Sequence, residues 1–258
     1  MPNTELYRKL SAKIPGTIKR TIPDSVFVKL MYYASYGRFP DLKNPVTFDE
    51  KIQWYKLYYR NPLMTVMADK ANSREYVRKL GYGSILNEVY FIKDKLTTGD
   101  FNGLPDEYVI KATHGSDMNL FCTAQNSIDP QFAVKTMNKW LSVNRFHHTR
   151  EWAYKDINPA VICEKFLINK EYGELIDYKF YCYGGKPEVL FVCAGRFSEE
   201  GLRYNAYDLD WNRIYVTKGK AGIEFEFNKP DTFDEMIKTA ADLCRGFPFV
   251  RVDLYSVE

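Results

Sequence analysis

The chain has 258 residues, 45% hydrophobic and 27% charged, with a formal net charge of +3. That length supports one large domain or two small ones, and the proportions are ordinary for a globular protein. A charge so small for the length excludes the basic stripe of a nucleic-acid binder, and no nucleic-acid partner is expected.

Residues 1–84 read as a helical N-terminal region. Lys9, Lys13, Lys19 and Arg20 make its start basic, which suits either a solvated helix face or peripheral contact with a membrane. Asp24 or Ser25 is placed to cap a segment with Phe27, Leu30, Met31 and Ala34 at helical spacing. Thr47-Phe-Asp-Glu50 has the form of a capping box, followed by the stripe Phe48, Ile52, Tyr55 and Tyr59. Asn61-Pro62 restarts a short helix, and Asp69 opens another that Gly81 closes. From residue 85 the pattern turns to strands at Leu86–Ile92, Tyr108–Thr113 and Leu120–Ala124. Asp129-Pro130 opens a further helix, and residues 145–158 read as irregular, with His147 and His148 as surface or acceptor-site residues. Strands follow at Val161–Leu167, Tyr178–Tyr183 and Glu188–Ala194, the last two joined by Gly184-Gly185. Thr232-Phe-Asp-Glu235 is a second capping-box pattern before a helix that Gly246 ends, and Phe247–Tyr255 is the last strand. This order gives an α+β fold: the helical region 1–84, a small α/β subdomain over 85–163, and a mostly antiparallel sheet over 164–258.

The five cysteines include no C-x-x-C pair and fall in strand or helix patterns, as small hydrophobes in a reducing compartment do. With no apolar run of signal-peptide or membrane-span type, the expected location is cytoplasmic, with the inner face of the membrane as the peripheral alternative.

The segment Glu107-Tyr-Val-Ile-Lys111-Ala-Thr-His114-Gly115-Ser116 is a strand ending in a lysine, followed by a glycine/serine loop and a second strand. Alternation puts Lys111 on the face of Val109. A lysine is a compact charge suited to phosphate oxygens, and a glycine loop can add backbone N–H groups. The same pattern fits an ordinary hairpin with a solvated lysine. Further charged positions are Asp69-Lys70, Glu164, and Arg251 with Asp253 on one face of the last strand. Together they match the needs of ATP and magnesium.

These residues carry a resemblance. Phe48-Asp-Glu-Lys-Ile-Gln-Trp, Ala68-Asp-Lys70, Val109-Ile-Lys111-Ala-Thr-His-Gly-Ser116, Arg150-Glu-Trp, Cys163-Glu-Lys-Phe, Asp177-Tyr-Lys-Phe180, Tyr207-Asp-Leu-Asp-Trp-Asn212 and Gly246-Phe-Pro-Phe-Val-Arg-Val-Asp253 run in order. The series resembles the ATP-grasp family of teichuronopeptide-biosynthesis type. The resemblance implies Lys70 and Lys111 as phosphate lysines and His114, Gly115 and Ser116 as a lid that orders over the phosphates. It implies Glu164, Lys165, Phe166 and Leu167 as the hinge meeting adenine and ribose, and Asp253 as a magnesium carboxylate. Lys179, Arg196 and Arg251 would face the acyl phosphate or the acceptor. The implied activity is ATP-dependent carboxylate–amine ligation, with ATP and Mg2+ as cofactors. The implied partners are a carboxylate and an amine substrate, a saccharide among them, within a polysaccharide-synthesis complex. Two departures stand out. Asp117 and Met118 replace a Gly-Ser pair in the lid, and the chain ends at Glu258 where relatives continue into a strand bearing a metal-binding glutamate. The expectation is therefore a truncated chain that turns over poorly.

Two other functions fit parts of the sequence. Asp208-Leu-Asp210 has the D-x-D form that holds a metal and a sugar nucleotide in glycosyltransferases, but it also reads as a tight turn. A degenerate, non-catalytic ATP-binding protein would accommodate both departures.

Overall fold

The computed structural model describes residues 16–195, 201, 203–215 and 226–257. The chain divides into two compact units, Met1–Tyr76 with Leu86–Phe166, and Val77–Ile85 with Leu167–Glu258.

In the first unit, α1 (Gly16–Thr21), α2 (Asp24–Tyr36), α3 (Phe48–Tyr58), α4 (Leu63–Ala68) and the start of α5 (Asn72–Lys79) precede the strands. These are β1 (Val89–Lys93), β2 (Tyr108–Ala112), β3 (Asn119–Cys122) and β4 (Val161–Lys165). They form an antiparallel sheet of order β1-β4-β2-β3. Two helices, α6 (Pro130–Leu141) and α7 (Phe146–Thr149), lie between β3 and β4 in sequence.

Local chemistry explains several boundaries. The Thr47 hydroxyl accepts from the Glu50 amide at 3.3 Å, and the Glu50 carboxylate accepts from the Thr47 amide at 3.1 Å, so two orphan donors are satisfied reciprocally. Asp129 accepts from the amides of Gln131 and Phe132, with Pro130 at the tolerated first position of α6. The expected side-chain cap of α2 is absent: Pro23 occupies the cap position, and the Asp24 carboxylate is instead 2.7 Å from Arg150 Nε.

The core of this unit lies on one sheet face. Tyr108 and Ile110 of β2, Val161 and Cys163 of β4, Met137 of α6 and Leu96 are all buried there. Alternation sends Val109, Lys111, Ile162 and Glu164 to the opposite face.

The segment 145–158 is more ordered than its sequence suggests, holding α7 and a single 3₁₀ turn, Trp152–Tyr154. Arg150 organises it. This residue ends α7 in the left-handed region (φ 57°) and is 1% exposed. Its guanidinium donates to the carbonyls of His147 at 2.8 Å, Ile22 at 3.1 Å and Lys19, and lies 4.4 Å from the Phe27 ring centroid. A buried guanidinium is tolerable because its donors are met by carbonyls, a carboxylate and aromatic faces.

The second unit has the antiparallel sheet order β8-β7-β6-β5-β9. Its strands are β5 (Asp177–Tyr183), β6 (Lys186–Ala194), β7 (Arg203–Tyr207), β8 (Arg213–Ile214) and β9 (Phe249–Tyr255). The β5–β6 turn has φ of 57° at Gly184 and 77° at Gly185, the two positive values of the tight hairpin turn that matches strand twist. Helix α8 (Phe233–Leu243) covers the face of Phe180, Leu190 and Val252, and Phe233 stacks 6.3 Å from Phe180. The second capping box does not form: Thr232 makes no cap bond, and its hydroxyl lies 3.1 Å from that of Ser256. The capping pattern is present, but ψ at Thr232 is 5° rather than extended, so the hydroxyl misses the N3 amide.

All five cysteines are free and buried. No helix among the described residues is long and apolar enough to cross a membrane.

Candidate functional site

Asp69 positions the first cation. It is 3% exposed, and its carboxylate accepts from the Ala71 amide at 2.9 Å and the Asn72 amide group at 2.7 Å, capping α5. The neighbouring Lys70 amide donates to the Thr113 carbonyl at 3.1 Å. The Lys70 side chain then reaches the base of the β2–β3 loop, where Nζ donates to the carbonyls of Ala112, at 3.0 Å, and Gly115.

Glu164 gathers the other cations. In the β2–β4 register Glu164 faces Val109 and Lys111 faces Ile162, so Lys111 and Glu164 are diagonal neighbours on one face. Lys111 Nζ lies 2.7 Å from Glu164 Oε2, and Arg74 Nη1 lies 3.0 Å from Oε1. Each oxygen of this nearly buried carboxylate holds one cation. Arg74 also donates to the Asn87 carbonyl. Burial, and then the nearby Lys111 charge, bring the Lys70 pKa down to about 8. Lys70, from the turn before α5, and Lys111, from β2, thus lie near enough to affect each other, and with Arg74 they make three cations against the carboxylates of Asp69 and Glu164.

The β2–β3 loop is built tightly. The Ala112 amide donates to the Met118 carbonyl at 2.9 Å, and the Thr113 hydroxyl accepts from the Ala160 amide at 3.2 Å. Gly115 is not the exposed tip. A Cβ there would come within 3.0 Å of Met118 Sδ, so the glycine admits close approach of that side chain. The tip is Ser116 and the exposed Asp117, and it is Asp117 that takes the left-handed conformation, with φ 62°. His114 is also turned inward. Its ring is 2% exposed, Nε2 lies 3.0 Å from the Val143 carbonyl, and burial lowers its pKa. A neutral, anchored imidazole is the result, rather than one facing a ligand.

Lys165, at the end of β4, is exposed, and its amide donates to the Glu88 carbonyl at 3.0 Å. Phe166 and Leu167 are partly buried, and the boundary between the two units falls between them.

The second unit carries its own charged cluster. Lys179 of β5 pairs in register with Asp253 of β9. Lys179 Nζ is 3.1 Å from Asp177 Oδ2 and 3.6 Å from Asp253 Oδ2. Arg251 grips Asp253 with both ends of its fork, at 2.6 and 2.7 Å, which raises the guanidinium pKa further. Arg196 lies outside the described residues.

Asp253 in this arrangement does not fit a resident magnesium ion, because Arg251 occupies both of its oxygens. Among the described residues no group of three or more His, Cys, Asp or Glu side chains is arranged to hold a metal. Asp208 is a turn anchor, accepting from the Asp210 amide at 3.0 Å and from the Asn212 amide at 2.7 Å and its side chain at 2.9 Å.

Sequence reasoning missed Arg74 and Asp177. Arg74 stands in α5, four residues after Lys70 of the preceding turn, and Asp177 stands two before Lys179 on the same strand face. The Asp177–Lys179 spacing was visible in the sequence, whereas the pairing of Arg74 with Glu164, 90 residues on, was not.

Comparison with solved structures finds the ATP-grasp ligase PsnB complexed with a minimal precursor, at 10% identity and TM-score 0.40, covering 81% of this chain and 55% of that one. D-alanine–D-alanine ligase from Bacillus anthracis complexed with ATP is similar at 13% identity and TM-score 0.42, covering 75% and 52%. The chain spans about half the length of these proteins. Among curated proteins no sequence matches. The family model described as TupA-like ATP-grasp matches residues 50–258, which hold the Lys70, Lys111 and Glu164 cluster and the Lys179 and Asp253 cluster alike. The chain belongs to the TupA-like ATP-grasp family.

Proposed function

We propose that this protein is an ATP-dependent carboxylate–amine ligase that works through an acyl phosphate. The observation that supports it most is the meeting of Lys70 and Lys111 beside the β2–β3 loop, with Glu164 holding Lys111. In this reading the two lysines neutralise phosphate oxygens of ATP. A carboxylate oxygen of the acid substrate attacks the γ-phosphorus, the bond to ADP breaks, and ADP leaves with the electron pair. An amine then attacks the acyl carbon and loses a proton, and phosphate leaves as the amide forms. Such chemistry depends mainly on positioning and charge neutralisation.

Glu164 holds Lys111 in place, and Ser116 and Asp117 form the loop tip over the phosphates. The segment 164–167 meets the nucleoside. Magnesium enters with ATP as part of that substrate. No step is routed through Asp253, which Arg251 holds. The family resemblance supports a uronic or amino acid as the carboxylate and an amine on a saccharide or peptide, in surface-polysaccharide or teichuronopeptide synthesis.

The test is titration calorimetry with ADP and magnesium on the wild type and on Lys111→Ala. Loss of charge-assisted phosphate contacts worth about 1.5–3 kcal/mol should weaken ADP by about tenfold or more. Equal affinity in the two proteins removes Lys111 from the nucleotide site.

A further inference from the structure

One face of α2 lies open to solvent. Phe27, Val28, Met31, Tyr32 and Ala34 are buried on the inner side of this helix. Val26, Leu30 and Tyr33 fall on one stripe of the opposite side, at 45%, 45% and 49% exposure. Phe39, 58% exposed, extends the stripe by stacking on Tyr33 with ring centroids 4.9 Å apart. A single exposed leucine is ordinary. Four large apolar side chains together, on a helix already apolar on its inner side, mark a surface that something covers.

Charge says what covers it. Residues 1–43 hold eight basic and three acidic side chains, a net +5, whereas the whole chain carries +3, so residues 44–258 carry −2. In the described part of that stretch both acids are already occupied. Asp24 pairs with Arg150 at 2.7 Å, and Asp41 Oδ1 accepts from the amides of Lys43 and Asn44 at 2.9 and 3.0 Å. Arg20, Lys29 and Lys43 are exposed, and their side chains make no hydrogen bond or ion pair with any described residue. Lys29 stands one turn before Tyr33 at the edge of the stripe. Arg20 lies in the last turn of α1, just before α2, and Lys43 follows Phe39 in the next loop.

We propose that this face of α2 lies on an anionic lipid bilayer. Val26, Leu30, Tyr33 and Phe39 enter the boundary between headgroups and acyl chains, while Arg20, Lys29 and Lys43 meet the lipid phosphates. Lys29 lays its methylene stem along the apolar stripe and keeps its ammonium in the headgroup layer, the level at which a tyrosine such as Tyr33 also sits well. A second copy of the chain is the weaker occupant. A two-fold contact sets the same patch against itself, so Lys29 and its neighbouring cations would meet their own like charges. Membrane contact through this face is independent of nucleotide binding.

The test is flotation of the full chain with vesicles of phosphatidylglycerol and phosphatidylcholine in equal parts, against vesicles of phosphatidylcholine alone. The wild type should float with the anionic vesicles and not with the neutral ones, and added salt should weaken the binding. Leu30→Gln removes apolar burial and Lys29→Glu reverses a charge, and each should weaken binding by about tenfold or more. Both positions are exposed, so thermal unfolding of each variant should match the wild type. Tyr33→Trp reports depth: the emission it adds should shift to the blue on anionic vesicles and be quenched by brominated acyl chains. The face is not a lipid surface if anionic vesicles leave the protein behind, if neutral vesicles carry it equally well, if neither substitution weakens binding, or if the introduced tryptophan stays unquenched. A dimer in analytical ultracentrifugation that Leu30→Gln dissociates would assign the face to a second copy and overturn the lipid surface.

Discussion

Lys70 holds its proton less firmly than a free lysine because its ammonium is enclosed and lies near Lys111. With a pKa of about 8 against the ordinary 10.5, the folded protein binds fewer protons than the unfolded chain between those values, so this residue's contribution to stability rises with pH across that window. Phosphate binding has the opposite sign, since only the charged form attracts the ligand. ADP affinity should fall as pH rises through about 8, by up to about tenfold per pH unit. Lys70→Arg, charged throughout, should flatten that slope, and calorimetry across the range checks it. Glu164 is the counter-charge on which Lys111 and Arg74 both depend. Glu164→Gln should cost about 3 kcal/mol in urea unfolding, because two partly buried cations lose their partner. Asp253→Asn should cost under about 1 kcal/mol, since Arg251 is 45% exposed and the pair is screened by water. The reverse ranking would show that the solvent-facing pair, and not the buried one, holds its unit together.

At the level of elements, two capping patterns of the same form behave differently. Thr47→Ala should cost about 1 kcal/mol, because the Glu50 amide loses its acceptor. Thr232→Ala removes only an exposed hydroxyl contact and should stay within about 0.5 kcal/mol. Thermal unfolding of the two variants side by side makes the comparison. The β2–β3 loop shows a similar split between composition and role. Asp117 occupies the left-handed position at a cost of about 1–2 kcal/mol for a residue with a Cβ. Replacing it with glycine relieves that strain but loosens the unfolded chain by about 0.4–1 kcal/mol, so stability should change little. Removing the negative charge at the tip should instead raise ADP affinity at low salt, and added salt should shrink the gain. An Asp117→Gly protein with unaltered ADP affinity at low salt would place the tip away from the phosphates.

For the whole molecule, sequence by itself determined the α+β order, the Gly184-Gly185 hairpin, and the Thr47 and Asp129 caps. Those features rest on short-range rules: side-chain period, cap chemistry and the φ values glycine permits. It also singled out Lys70, Lys111 and Glu164 as the residues to watch. Tertiary structure alone decided what they touch. Arg74 on Glu164, Lys179 on Asp253 and Arg150 on Asp24 join residues far apart in the chain, and local spacing carries no information about such partners. Burial decided the rest. His114 and Gly115 look like exposed loop residues in sequence, yet the Val143 carbonyl and the Met118 side chain enclose them. Asp253 looks like a free metal carboxylate until Arg251, two residues earlier on the same strand face, closes on both its oxygens. A charge's chemistry depends on which opposite charge and how much water lie within a few ångströms, and only the folded chain sets both.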